Sequence, residues 1–139
     1  MTMATIQYRY DKVLPEDQVI SLYASLRWSS AEKPDQLLPA LANSHTVVTA
    51  WDDERLVALG NAISDGHLVV YFPHLAVLPE YQRQGIGTEI VRRLRDKYDG
   101  FHQQVVLADF DALEFYEKCG FEMPGKCEAL WFYNGHDHD

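Results

Sequence analysis

Apolar residues in the first third of the chain recur with a helical period. Four of them fall at i, i+3, i+4 and i+7, namely Val19, Leu22, Tyr23 and Leu26. This spacing predicts an amphipathic helix over residues 15–28. The other elements predicted here are a strand, a loop and a second helix, over residues 6–10, 29–34 and 35–43. Pro39 lies inside the second helix, where a proline is expected to kink or split it.

The middle of the chain is rich in β-branched residues and turn signals. Three strands are predicted, over residues 45–51, 56–63 and 67–77. The acidic residues 52–54 form the first turn, and Asp65–Gly66 is a strong signal for the second. The three strands therefore form an antiparallel meander. Pro73 interrupts the last strand, which predicts a bulge or an edge at that point.

The last third of the chain alternates between helices and strands. A stripe of Ile86, Ile90 and Leu94 predicts a helix over residues 85–98, ended by Gly100. A strand, a helix, a final strand and a frayed tail are expected over residues 105–108, 111–119, 129–133 and 134–139. A meander followed by strand–helix–strand–helix–strand predicts an α+β fold with a mixed sheet.

Composition and length bound the class of protein. The chain has 139 residues, 47% of them hydrophobic and 24% charged, which indicates one globular domain over residues 1–139. No apolar run approaches the ~20 residues of a membrane span, and the N-terminus lacks a signal pattern, so no membrane association is expected. The two cysteines lack Cys-x-x-Cys spacing, which favours free thiols in the reducing cytoplasm.

The charge is acidic overall but locally basic. A net charge of −9 argues against general nucleic-acid binding, which needs clustered Lys and Arg. Between residues 83 and 97, however, basic side chains outnumber acidic ones: Arg83, Arg92, Arg93, Arg95 and Lys97 against Glu89 and Asp96. Such a run is usually a solvated helix face, but this one begins on a glycine loop, which suggests a local anionic ligand.

That loop lies between a predicted strand and a predicted helix. Glycines at a helix start let a ligand approach unpaired backbone N–H groups, and the helix dipole favours negative charge there, so a pyrophosphate could bind. A nucleotide P-loop is excluded because its Lys is missing. A dinucleotide fingerprint is excluded because Ile90 replaces its third glycine. Alone, the two glycines are explained about as well by tight helix–strand packing.

Two spaced motifs resemble the GNAT N-acetyltransferase superfamily. Gln82-Arg83-Gln84-Gly85-Ile86-Gly87 matches its acetyl-CoA signature Gln/Arg-x-x-Gly-x-Gly/Ala. Residues 112–121 match its second motif, Ala-x-x-Phe-Tyr-x-x-x-Gly-Phe. The resemblance runs from about Trp51 to Phe121 and implies the GNAT fold: a largely antiparallel central sheet, a splayed strand pair and flanking helices.

The resemblance also implies where acetyl-CoA binds. Its pantetheine arm is expected between the strand carrying Leu75, Ala76 and Val77 and the strand over residues 105–108. The phosphates are expected at the glycine loop, on Gln82, Arg83, Gln84, Gly85, Ile86, Gly87 and Thr88. Asp109 stands where many relatives carry Asn, so it keeps an acceptor for a cofactor contact but loses the donor.

The resemblance also implies which residues carry the catalytic roles. Tyr116, of the Phe-Tyr pair, is the expected general acid for the leaving thiolate, since an ordinary Tyr is protonated at neutral pH. His74 is the candidate general base, although a purely structural histidine explains it about as well. Asp65 and His67 are weaker candidates, and the backbone N–H of Val77 is the expected oxyanion donor.

The sequence therefore predicts an N-acetyltransferase acting on a primary amine of a small molecule, or of a peptide, by direct attack in a ternary complex. The alternative is a catalytically silent acetyl-CoA-binding sensor or partner module. Trp28, Trp51 and Tyr71 are candidates for an aromatic acceptor pocket. No metal is expected, since the His136–Asp139 tail lies at a terminus. The apolar segment 129–133 suggests a homodimer through C-terminal strands.

Overall fold

The computed structural model describes residues 5–138. Six strands form the sheet: β1 (Ile6–Arg9), β2 (Thr46–Asp52), β3 (Arg55–Ser64), β4 (Val69–Phe72), β5 (Leu75–Val77) and β6 (Gln103–Val106). The described part of the chain also forms four α-helices: α1 (Glu16–Ser25), α2 (Pro34–Ala42), α3 (Ile86–Lys97) and α4 (Leu113–Lys118). Short 3-10 turns cover Ser29–Glu32, Pro79–Tyr81 and Phe110–Ala112. Helix α2 continues through Pro39, so Pro39 does not split it.

The sheet confirms the predicted fold class. Its strand order is β1-β2-β3-β4-β6, with β5 also paired to β3. Strands β1 to β5 pair antiparallel, and only β4 with β6 is parallel. The meander thus follows the predicted order, while α3 crosses over the sheet to deliver β6 beside β4. The result is a mixed, largely antiparallel sheet.

The predicted third strand of the meander is divided at Pro73 and His74. On one side of the break β4 pairs with β6 as far as Phe72 and Val106. On the other side β5 pairs only with β3. The side chain of Asn61 fixes the break, because its Oδ1 accepts the His74 N–H at 3.0 Å. The sheet therefore opens between β5 and the chain beyond β6, which is the expected splay.

Helices cover both faces of the sheet. A Cβ at Gly60 would lie 2.7 Å from Cγ2 of Ile90, so α3 is seated directly on this glycine of β3. Asn61, the next residue, donates to Oγ of Ser44, which follows α2. Successive strand residues point to opposite faces, so α3 and the end of α2 lie on opposite sides of β3. The core between these layers includes Tyr23 of α1, which is fully buried.

The C-terminal part departs most from prediction. Helix 111–119 is shortened to α4 behind a 3-10 turn, and strand 105–108 lies two residues earlier, as β6. The predicted strand over residues 129–133 is wrong, since no ladder pairs this segment in the described chain. Its aromatic rings stack on each other instead, with the Trp131 and Tyr133 centroids 4.5 Å apart. Residues 136–138 are not frayed but bind side chains elsewhere.

Within residues 5–138, no helix combines the length and the apolar character that crossing a bilayer requires.

Candidate active site

A cleft of about 940 Å³ opens where β5 and β6 diverge. Its floor includes Pro73, His74 and Leu75 at the strand break. One wall comes from the turn after α1, with Trp28 and Ser29, and the other from the chain after β6. That second wall carries Leu107, Ala108, Asp109, Phe110, Asp111 and Tyr116. The C-terminal segment closes one side with Trp131, Tyr133, Asp137 and His138.

Backbone groups of β5 point into this splay. Leu78 N–H donates to the Val57 carbonyl, and Asn61 N–H donates to the His74 carbonyl. Residues 74, 76 and 78 therefore direct their backbone groups toward β3, and the alternation of an antiparallel ladder turns those of Leu75 and Val77 the opposite way. An extended ligand bearing amides can pair with such an edge as an added strand would.

The glycine loop is built around backbone turns. Gln82 and Gln84 fold their amides back onto the carbonyls of Val77 and Glu80, at 3.0 and 3.2 Å. Arg83 has φ +64° and is exposed, and Gly85 has φ +87°. A Cβ at Gly85 would meet no atom within 4 Å, so the loop is open to solvent there. The left-handed backbone, rather than packing, therefore calls for glycine at position 85.

The first turn of α3 has the features of an anion site. Among residues 5–138, no side chain caps the helix at Gly85. The uncapped N–H groups and the positive end of the helix dipole face outward beside the β5 edge. A Cβ at Gly87 would lie 3.4 Å from the Phe115 ring and 3.7 Å from Leu75, which are ordinary van der Waals distances. Helix α3 therefore lies close to β5 and α4 at Gly87 without requiring glycine there, while Thr88 remains exposed.

Most of the basic run is used within the protein. Arg92 and Arg93 both bind the carboxylate of Glu89, and Arg92 also binds Asp96. Arg95 donates to the Cys119 carbonyl at 2.8 Å. These three arginines therefore contact groups of the chain itself. Arg83 is the member that lies on the glycine loop itself.

Tyr116 lies on α4 and faces His74 and Leu75 across a narrow pocket. Its ring packs edge-on against Phe115 and Phe121, with centroids 5.1 and 5.8 Å away. Burial raises the pKa of Tyr116 to about 12, so its hydroxyl keeps its proton throughout the neutral range. The phenol is therefore a hydrogen-bond donor at the cleft.

His74 occupies the strand break at the floor of the cleft. Its Nδ1 lies 2.9 Å from the hydroxyl of Tyr23, and Trp28 packs against the ring with a centroid distance of 5.7 Å. Burial lowers the pKa of His74 to about 4, far below the ordinary value near 6.5 on which its choice as a base rested. Histidine at this position is therefore neutral at physiological pH. Tyr23 escaped notice in the sequence because it fits the apolar stripe of α1.

The C-terminal segment, residues 129–138, makes polar contacts with both sides of the cleft. Asp137 accepts hydrogen bonds from the Ser29 N–H and hydroxyl, at 2.9 and 3.1 Å. His138 lies 3.3 Å from the carboxylate of Asp109, which is thereby occupied within the chain. Trp131 and Tyr133, predicted only as strand residues, consequently reach the cleft. Their apolar pattern gave no signal for this position.

The remaining candidate residues from the sequence lie partly at the cleft and partly elsewhere. Trp28 and Tyr71 line the cleft, but Trp51 is buried elsewhere and donates to Thr49, so its place in an acceptor pocket is wrong. Asp65 accepts N–H bonds from Leu68, His67 and Val69, which lower its pKa to about 2 and account for it as a turn residue. Burial raises the pKa of the Cys119 thiol, which disfavours a reactive thiolate.

Comparison with known proteins identifies the family. The model of the acetyltransferase (GNAT) domain matches residues 43–123. The chain belongs to the GNAT family. A curated relative, the chloroplastic GCN5-related N-acetyltransferase 3 of Arabidopsis thaliana, is 36% identical over an alignment 107 residues long, which covers 73% of this chain and 43% of the relative. The chain thus spans less than half the length of that relative.

Solved GNAT structures resemble the whole architecture. The acetyltransferase SP0256 from Streptococcus pneumoniae superposes with a TM-score of 0.80 at 26% identity, covering 94% of this chain and 98% of that one. An aminoglycoside N-acetyltransferase, AAC(6')-Iy, solved in complex with CoA, gives 0.70 at 13% identity over 96% of each chain, a likeness of fold alone. The GNAT match spans β5, the glycine loop and α4, while α1 and the C-terminal segment lie outside it.

Proposed function

We propose that this GNAT chain is an N-acetyltransferase that transfers the acetyl group of acetyl-CoA to a primary amine of a small molecule. One observation carries the proposal: the free backbone edge of β5, the uncapped start of α3 and the Tyr116 phenol border the same opening of the sheet. The amide-bearing arm of acetyl-CoA would pair with the strand edge, its pyrophosphate with the helix start, and its thioester sulfur with the phenol. Residues 1–139 are proposed to act as one GNAT domain.

Acetyl-CoA is proposed to bind mainly through the backbone. Its pantetheine amides pair with the backbone of Leu75, and its thioester carbonyl faces the Val77 N–H, since the Val77 carbonyl already accepts the Gln82 amide. Its pyrophosphate lies over the N–H groups from Gln84 to Thr88, with Arg83 supplying the positive charge. Ile86 anchors this turn in the core, where it is 3% exposed. Gln82 supports the loop from Val77. Asp109 borders the same opening, but its carboxylate is shared with His138, so its part is to hold the C-terminal segment.

The proposed chemistry is direct attack in a ternary complex. The neutral amine attacks the thioester carbonyl carbon, and the oxygen gains charge within reach of the Val77 N–H. Collapse of the adduct breaks the C–S bond, and Tyr116 donates its proton to the leaving thiolate. His74 faces Tyr116 across the same narrow pocket. A donor to a leaving group contributes typically ~10²–10⁴-fold in rate.

The acceptor is proposed to be a cationic small molecule that sheds a proton before attack. Three aspartates, Asp109, Asp111 and Asp137, line the cleft together with Arg27 and Lys33. Asp109 and Asp137 are already bound to His138 and Ser29, so Asp111 is the carboxylate proposed to meet a cationic acceptor. The net charge of −9 also favours a positively charged acceptor over an anionic one. A structural neighbour that acetylates aminoglycosides, as its name states, is consistent with an amine of this class. The free cysteines fit action in the reducing cytoplasm.

A homodimer is proposed from the C-terminal segment. Leu130 and Phe132 are 94% and 108% exposed, on a stretch that forms no ladder in the described chain. Exposed apolar surface of this kind is costly for a protein that remains monomeric. A second copy, packed through the same C-terminal segments, would cover it.

A pair of matched glycine variants tests acetyl-CoA binding. Gly85 and Gly100 have φ of +87° and +85°, and a Cβ at either would meet no atom within 4 Å. Valine should therefore strain the backbone equally at both positions, but only Gly85→Val places a side chain at the proposed pyrophosphate site. Calorimetry should show at least tenfold weaker acetyl-CoA binding for Gly85→Val and near wild-type affinity for Gly100→Val. Equal affinities in the two folded variants would contradict the proposed site.

Turnover separates the enzyme from a silent acetyl-CoA sensor. The wild-type protein is supplied with acetyl-CoA and a panel of small amines, polyamines and amino sugars, and free CoA thiol is measured. An enzyme releases thiol in proportion to acetylated amine, whereas a sensor binds acetyl-CoA with no release. Peptides with a free lysine or N-terminus form the comparison arm for the acceptor class.

A further inference from the structure

A buried phenol holds the imidazole of the strand break. Tyr23 is 0% exposed, and its hydroxyl oxygen is 2.9 Å from Nδ1 of His74. The two rings meet edge to face, with centroids 5.2 Å apart at an interplanar angle of 80°. Trp28 packs against both rings, 5.5 Å from Tyr23 and 5.7 Å from His74. These contacts fix the imidazole from the side of α1.

The burial of Tyr23 decides the direction of this hydrogen bond. Within residues 5–138 the Tyr23 hydroxyl has one hydrogen-bond partner, the Nδ1 of His74. A buried hydroxyl that cannot donate is unfavourable, and a neutral imidazole has one nitrogen that donates and one that accepts. If Nδ1 carried the proton, the phenolic hydrogen would be left without an acceptor. Tyr23 therefore donates to Nδ1, and the ring proton of His74 lies on Nε2.

The backbone of His74 is also fixed by hydrogen bonds. Its N–H donates to Oδ1 of Asn61, and its carbonyl accepts the Asn61 N–H at 3.2 Å. Nε2, on the edge of the ring away from Nδ1, makes no hydrogen bond to any residue in the described part of the chain. His74 also lines the cleft beside Leu75, across from Tyr116. The neutral Nε2–H group of His74 thus remains available to donate a hydrogen bond to a ligand.

We propose that His74 donates a hydrogen bond from Nε2 to the thioester carbonyl oxygen, and that Tyr23 is the positioning residue that fixes this tautomer. The inference rests on the proposed acetyl transfer and replaces the general base expected from the sequence. A nitrogen that already carries a proton cannot accept the one lost by the amine. Burial, which keeps the imidazole neutral, preserves the same role across the neutral pH range.

The transfer step balances without a histidine base. The amine lone pair forms the new C–N bond while the C=O π electrons move to oxygen, which accepts hydrogen bonds from His74 Nε2 and the Val77 N–H. The C=O bond then re-forms, the C–S bond breaks, and the sulfur takes the Tyr116 proton. The surplus proton of the attacking nitrogen goes to water in the open cleft, and water restores the Tyr116 proton. His74 keeps its proton throughout.

Two substitutions distinguish a donor from a base. The side-chain amide nitrogen of glutamine lies near the position of Nε2 and can donate, but it cannot take up a proton at neutral pH. With a donor, His74→Gln should keep kcat within about tenfold of wild type, while His74→Ala should lose roughly 10²–10³-fold, as for an oxyanion-hole donor. With a base, the two variants should fall together. Equal losses in both, at unchanged acetyl-CoA affinity, would overturn the proposal.

The tautomer itself can be read without any substrate. ¹⁵N NMR of the histidine-labelled full chain at pH 7 should show His74 with a protonated Nε2 and a bare Nδ1. Tyr23→Phe should weaken this preference and lower kcat with little change in the acetyl-CoA KM. His45, whose Nδ1 contacts the Tyr98 hydroxyl at 2.7 Å, is the internal control and should keep its spectrum in that variant.

A wild-type His74 protonated on Nδ1 would refute the inference, whether or not Tyr23→Phe folds. Because the spectrum needs neither acetyl-CoA nor an amine, its outcome is independent of the thiol-release screen. A bare Nδ1 together with no amine turnover would leave the tautomer assignment standing and reject the transferase instead.

Discussion

Gly60 sets how closely helix α3 approaches the sheet, and replacing it with alanine should measure that contact. The new Cβ would lie 2.7 Å from Cγ2 of Ile90 and 3.1 Å from Cδ1 of Leu94. Both side chains are buried, so neither can swing into solvent. Overpacking of a core typically costs about 1–3 kcal/mol, and alanine recovers about 0.5–1 kcal/mol of backbone entropy relative to glycine. Subtracting the midpoints of these two ranges, we expect Gly60→Ala to lose about 1 kcal/mol.

Thermal unfolding is the assay, with Gly125→Ala as the matched control. At about 2.1 cal/mol/K of unfolding entropy per residue, a chain of 139 residues shifts its Tm by roughly 3–4 °C per kcal/mol. Gly60→Ala should therefore unfold about 3–4 °C below wild type. A Cβ at Gly125 meets no atom within 4 Å, so that variant should stay within about 0.5 kcal/mol of wild type. If both variants unfold with the wild type, α3 is not seated on Gly60 as described.

Three further predictions concern chemistry, pH and assembly. Tyr116→Phe should lower kcat at least tenfold with little change in acetyl-CoA affinity; full kcat, with chemistry shown to be rate-limiting, would exclude the phenol as the acid. Burial lowers the pKa of His74 from 6.5 to about 4. Between these two pH values the histidine is protonated in the unfolded state but not in the folded state, so the free energy of unfolding decreases as the pH falls from 6.5 to 4. Urea titrations should show wild type losing up to about 3 kcal/mol more than His74→Gln between pH 7 and pH 4; parallel losses would exclude a buried neutral imidazole. Light scattering at micromolar concentration should give twice the monomer mass, and a monomer would reject the proposed dimer.

Patterns within one element were enough to predict most of the fold. The helical period through Leu22 and the stripe through Ile90 mark faces that must be buried whatever they pack against. The break at Pro73 was also predictable, because a proline lacks the N–H that a central strand requires. The glycine loop could be located for a similar reason, since the left-handed backbone of Gly85 is a local property of the chain.

Interactions between distant residues were not predictable from such patterns. Tyr23 fits an apolar stripe, and its hydroxyl has a role only because His74, 51 positions away, is brought to it. The segment through Trp131 has strand-like composition, but a strand also needs a free edge in register with it, which composition does not specify. The pKa of His74 likewise depends on its burial against α1. The ordinary histidine pKa, on which its choice as a general base relied, therefore does not apply at this position.

The proposed cofactor contacts along β5 are made by main-chain atoms, which has a consequence for mutational mapping. A scan that exchanges the side chains of Leu75 and Val77 leaves their N–H and C=O groups in place, so it would record this half of the site as tolerant. Proline at either position, or replacement of the backbone amide by an ester, removes the donor itself. Tolerance in a side-chain scan would therefore describe packing here and say little about ligand contact.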